Sequence, residues 1–259
     1  MEANDVEKTK LDVNDGRTIG RMIISLDFGT VFSKAAWMLV ETDTVLAELR
    51  RDQFDTHNIH DIRFQDDGGL PTEMAYCKDQ WHYGSEVKTL RKSGQIPVSS
   101  RIKLIKLGLA EARHTKKIIS TLDKQIENLP LQSRVTDRLG LVAVFLRELN
   151  RQVRSKIFQN FGTEDVWRLY TVETLLTVPA CWKPDMIVKM KTAANQAGLE
   201  SVKLVSEPEA AAMWIKYNEP APPGPLGKTR SKQSKPFLLL DVGGGTAVSS
   251  VTWSLSLRG

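Results

Sequence analysis

The sequence predicts an α/β chain with a partly parallel sheet, and three observations carry that prediction. From Thr171 onward, strand-like apolar runs alternate with helix-like runs, the order that builds parallel βαβ units. From Ser133 to Phe161, apolar residues recur at three- and four-residue steps, the period of a long amphipathic helix. Two short apolar runs, Ile23 to Thr30 (IISLDFGT) and Phe237 to Thr246 (FLLLDVGGGT), end alike in an aspartate, a glycine turn and a threonine.

Residues 1 to about 20 are polar and aperiodic, which predicts a disordered tail. Met22 to Asp27 reads as a buried strand, Gly29-Thr30 as a tight end, and Phe32 to Val40 as the returning strand of a hairpin. Further short strands are expected at Val45 to Leu49, Ile62 to Phe64 and Met74 to Cys77. Helical periodicity runs from Thr115 to Leu129, and again from Ser133 to Phe161, where Val135, Leu139, Val142, Leu146, Leu149 and Val153 share a face. A strand follows from Thr171, then a helix from Pro184 to Ala197 with proline at its start and Gly198 after its end. Ser201 to Val205 is the next strand and Glu207 to Tyr217 the next helix. Residues 218–236 hold five of the eleven prolines among basic and small polar residues, an exposed loop. The second Asp-Gly run then leads into a returning strand, Val248 to Trp253.

With 259 residues, 41% hydrophobic and 26% charged, the chain can bury a sizeable core. Its first residues are polar and mixed in charge, unlike a secretory leader, and no apolar run approaches the ~20 residues that span a bilayer. A cytoplasmic protein with no membrane partner is expected. Cys77 and Cys181 stand far apart without companions at metal spacing, which argues against a disulfide framework and a structural zinc. His57 and His60 form an H-x-x-H without further ligands and read as loop residues. The 36 basic and 31 acidic residues leave a charge of +5 in scattered runs that are not interleaved with aromatics, so a solvated face is expected rather than a nucleic-acid surface.

The DFG of the first run is not that of a protein kinase. No G-x-G-x-x-G or strand lysine precedes it and no HRD-like tripeptide occurs. What the two runs share is a glycine turn whose backbone N–H groups can face an anion without a Cβ in the way. Each turn can clamp one end of a polyphosphate, with the aspartate before it placed for Mg²⁺, which keeps waters and takes one or two carboxylates. The chain lacks a Walker A loop. The plain alternative is that Asp27 and Asp241 are strand-end turn formers; the duplication favours the clamp.

Together with LLTVPACWKPDMIVKMKTAANQAGLESVKLVSEPEAAAMW between them, the two turns make the chain resemble the nucleotide-binding domain of the heat-shock protein 70 family, in the actin-like ATPase superfamily. The likeness is nearest to the divergent members common in filamentous fungi. It implies an actin-like ATPase (ribonuclease H-like) fold, with residues 21–217 as the first lobe, 218–236 a loop and 237–259 the start of a second lobe. It implies Asp27 near Mg²⁺, with Gly29, Thr30 and Val31 at phosphate. Glu207 would hold a water on the metal. Asp241 would orient metal and attacking water, with Gly243, Gly244, Gly245 and Thr246 around the phosphates. A lysine reaching the γ-phosphate falls in SRIKLIKLGL, with Lys103 favoured over Lys106. The implied activity is Mg-dependent ATP or ADP binding with slow, chaperone-type hydrolysis, and co-chaperones or client proteins as partners.

Three departures bear on that activity. Val248 stands where the family carries an aspartate after the second turn, and Val31 where a hydroxyl residue often follows the first threonine. The sequence ends at Gly259, one strand into the expected second lobe, so weakened binding is expected. The alternatives are a non-catalytic relative acting as a protein-interaction module and a sugar-kinase-like phosphotransferase.

Overall fold

Strand β1 (Gly20–Asp27) turns at Phe28 to Val31 into the antiparallel β2 (Phe32–Glu41). The computed structural model describes residues 18, 20–41, 59–64, 68–218, 236–242 and 247–253. The tail before residue 18, the strand expected at 45–49, most of the proline-rich segment and the second glycine turn, 243–246, lie outside the described residues. Next come β3 (His60–Ile62), β4 (Leu70–Pro71), β5 (Glu73–Cys77), β6 (Gln80–Tyr83), α1 (Ser85–Lys92) and β7 (Ile102–Lys103). A buried 3₁₀ turn, Ile105–Leu109, leads to α2 (Lys116–Glu127), α3 (Arg138–Phe161) and α4 (Val166–Leu169). The remainder is β8 (Tyr170–Val178), α5 (Pro184–Gln196), β9 (Val202–Ser206), α6 (Glu207–Asn218), β10 (Pro236–Val242) and β11 (Ala247–Trp253).

The result is a mixed α/β architecture. The main sheet has the order β3-β2-β1-β8-β9, with β4 also on β2. Strands β1, β8 and β9 are parallel neighbours, while β2 runs antiparallel to β1. Sequence separation explains the difference. A turn of four residues can only fold a strand back, whereas β8 reaches β9 through helix α5, as parallel pairing requires. A small sheet, β6-β5-β7, and the hairpin β10-β11 stand apart from the main sheet, and the hairpin lies against α6.

The core forms between the main sheet and α3. Met22, Ile24 and Leu26 of β1 align with Val172, Thr174 and Leu176 of β8, and all six are buried. Facing them, α3 buries Leu141, Val142, Phe145, Leu146, Leu149, Val153 and Ile157. Phe28, just past β1, meets Phe145 with ring centroids 5.7 Å apart. Replacing a side chain such as Leu149 by alanine should cost about 2–5 kcal/mol. None of the described helices is long and apolar enough to cross a membrane.

The expected start of the long helix is corrected. Val135 has the right spacing but precedes the helix, because Asp137 caps it, accepting from the Gly140 N–H at 2.6 Å. Val135 is buried all the same.

Candidate functional site

The parallel strands β1, β8 and β9 end at one edge, at Asp27, Val178 and Ser206. In open α/β sheets the carboxyl ends of strands are where ligands bind, since the loops diverge there and leave a crevice.

At the end of β1, Asp27 accepts a hydrogen bond from the Thr177 hydroxyl of β8 at 2.9 Å through one carboxylate oxygen. That bond fixes the carboxylate, and the other oxygen has no hydrogen-bond partner among the described residues. The turn then needs glycine for closeness rather than for a left-handed φ. A Cβ on Gly29 would lie 2.1 Å from the Phe32 carbonyl oxygen. Gly29 N–H donates to the Asp27 carbonyl at 3.1 Å, and the Val31 carbonyl accepts from Thr72 N–H at 2.7 Å. A buried Ser33–Thr72 hydroxyl pair at 2.9 Å braces the same junction. Among the described residues no backbone carbonyl takes the N–H of Thr30 or Val31. Val31 itself is exposed.

The two candidate lysines have different places. Lys103 is exposed on β7, beside Glu73 in the strand register. Lys106 is 4% exposed, and its Nζ donates to Glu207 Oε1 at 2.6 Å. Its ammonium also lies 5.8 Å from the ring centroids of both Phe28 and Trp182, within the range of a cation–π contact. The lysine that joins this edge is Lys106, because Leu104 between them adopts a left-handed φ of 59° and redirects the chain.

Glu207 opens α6, and its neighbours leave it available. Ser206 caps the helix. Its hydroxyl donates to Glu209 Oε2 at 2.6 Å, its N–H meets the same oxygen at 3.3 Å, and the Glu209 N–H returns to the Ser206 oxygen at 3.4 Å. This is a capping box, legible in the S-x-x-E of Ser206 to Glu209. Glu209 thus serves the helix end, and Glu207 turns to Lys106. Removing Glu207 alone would leave the buried Lys106 ammonium uncompensated, at about 3–5 kcal/mol.

Trp182, missed in the sequence reading, is placed by the turn that leaves β8, where its N–H donates to the Pro179 carbonyl at 3.1 Å. The edge therefore gathers Asp27, Thr177, the Gly29 turn, Phe28, Trp182, Lys106 and Glu207. Asp241 stands next to last in β10 and pairs with Val248 of β11. Gly243 to Thr246 lie outside the described residues. No group of three or more His, Cys, Asp or Glu gathers among the described residues, and the charged groups brought to the Asp27–Gly29 turn include Asp27, Glu207 and Lys106.

The largest shifted titration lies elsewhere. Burial, reinforced by the negative charge of Glu148 and opposed by Arg147 and Arg151, holds the Tyr83 phenol well above its ordinary value near 10.

No protein-family model matches the chain, and no curated protein matches it.

Proposed function

We propose that the chain is a nucleotide-binding unit of the actin-like ATPase fold, of the heat-shock-70 type, that takes Mg-ATP or Mg-ADP at the carboxyl edge of β1, β8 and β9. The observation that carries this reading is the buried Lys106 ammonium, paired with the part-buried Glu207 and set beside the Asp27–Gly29 turn. A buried ammonium and a strand-end glycine turn whose Thr30 and Val31 N–H groups meet no carbonyl among the described residues suit a polyanion. The donor set also suits the metal, since Mg²⁺ keeps several waters and takes only one or two carboxylates.

In this reading Thr30 and Val31 offer backbone and hydroxyl donors to phosphate, Gly29 gives the close turn that presents them, and Gly243, Gly244, Gly245 and Thr246 serve from the second run. Lys106, rather than Lys103, offers its charge to the terminal phosphate. Asp27 and Asp241 would hold the metal, and Glu207 would hold a water while sharing Lys106. Mg²⁺, when bound, neutralises charge that develops on the phosphate oxygens. Thr177 keeps Asp27 in one rotamer, and Phe28 and Trp182 exclude water from the ammonium. Slow, chaperone-type hydrolysis with protein clients in the cytoplasm belongs to the same proposal.

A second reading, a non-catalytic interaction module, is favoured by one feature. Val248 pairs with Asp241 where the resembled family carries a carboxylate. Calorimetric titration of the full chain with ADP and ATP, with and without Mg²⁺, separates the two. Magnesium-dependent heat is expected. No heat at nucleotide concentrations of about 1 mM, a limit near −4 kcal/mol of binding, would overturn the nucleotide reading and favour the second.

A further inference from the structure

We infer that Arg138 is a positioning residue for Lys106, holding the carboxyl end of the 3₁₀ turn Ile105–Leu109 so that the ammonium meets Glu207. Its consequence for nucleotide affinity rests on the reading of the site above; its effect on Lys106 does not.

The turn that carries Lys106 needs an external hold. It enters through Leu104 at a left-handed φ, and its two ends close through Leu107 N–H to the Leu104 carbonyl and Ala110 N–H to the Leu107 carbonyl. Among the described residues no backbone N–H takes the Gly108 carbonyl, as expected at a helix end. Arg138, the first residue of α3, fills that role, with Nη1 donating to Gly108 O at 2.9 Å. The rest of the guanidinium is anchored independently. Nε pairs with Asp123 of α2 at 3.1 Å, and Nη2 lies 3.8 Å from Glu111 Oε1. Glu111 in turn takes Lys189 of α5 at 3.2 Å. One planar fork thus references the turn to three helices at once, a job suited to arginine and not to lysine. Gly108 lets this happen, since a Cβ there would lie 2.7 Å from Leu122 Cδ1 and 3.6 Å from Arg138 Cδ.

Trace acetylation of the full chain with acetic anhydride, read lysine by lysine by mass spectrometry, tests the inference, with exposed Lys103 as internal reference. A buried amine reacts through local opening, so Arg138→Met should raise the Lys106 rate about tenfold while Lys103 stays unchanged. Arg138→Gln is read the same way and serves if the methionine variant does not fold. Leu149→Ala, a core change in the same helix, should lower global stability and leave Lys106 protected. A wild-type Lys106 rate in the folded Arg138 variant, or an equal rise in Leu149→Ala, would overturn the positioning role. Titrating the same variant with Mg-ATP and Mg-ADP should show about a tenfold loss falling mainly on ATP. If the wild-type chain binds neither nucleotide, the nucleotide reading fails, and the acetylation rates still decide Arg138.

Discussion

The two Asp-Gly turns share a local code but not a setting. In both hairpins the aspartate pairs with the residue seven positions later, Asp27 with Lys34 and Asp241 with Val248. The repeat in the sequence is thus a repeat in strand register. The first hairpin lies inside a six-stranded sheet with β8 parallel beside β1, and Thr177 reaches across to fix Asp27. Among the described residues the second forms a two-stranded sheet of its own and lies against α6. An isolated two-stranded hairpin is marginal in water. A turn motif therefore specifies a hairpin, while neighbouring strands turn the hairpin into a prepared site.

If neighbours make the first turn a site, the largest effects should follow from removing what they supply. Glu207→Ala strands the Lys106 ammonium and should cost about 3–5 kcal/mol in urea unfolding, with Lys106→Met in the same chain recovering part of the loss. A cost as small as that of an exposed substitution would mean the pair is solvated and the edge open. Gly29→Ala comes next. A Cβ 2.1 Å from a backbone oxygen must move the turn, and about 1–3 kcal/mol of stability should be lost. Stability equal to wild type would show the turn to be loose and weaken its claim as a phosphate cradle.

Thr177→Val removes the hydroxyl that fixes Asp27. It should cost about 1–3 kcal/mol, because Asp27 loses a charge-assisted bond. Smallest is a pH effect from outside the site. The folded Tyr83 phenol ionises above its unfolded value near 10, so its contribution is intact below pH about 10 and is lost as pH rises beyond it. Unfolding curves of wild type and Tyr83→Phe at pH 9 and pH 11 should diverge, with the wild type losing more stability; parallel losses would remove Tyr83 as the cause.

The sequence made the strands of the site legible because each is an apolar run stopped by Asp-Gly, Pro or Ser-Glu, signals that act over a few residues. The long helix was legible by period but not by start. Val135 satisfies the period while lying outside the helix, and only the Asp137 cap marks the boundary. Of the small sheet only β5 was read, because strands as short as Ile102–Lys103 carry no usable alternation. Lys103 and Lys106 could not be separated for the same reason. A two-residue strand followed by a left-handed leucine resets which way each lysine points. Arg138 was invisible, since its partners come from positions 108, 111 and 123 and no local pattern joins them.

The central claim, that both turns bind one nucleotide, is tested most directly by calorimetric titration of Asp27→Ala and Asp241→Ala with Mg-ATP beside the wild type. The account predicts weaker binding in each variant, by about tenfold or more for a lost charge-assisted contact, with the circular dichroism spectrum unchanged. Wild-type affinity in both folded variants would contradict it.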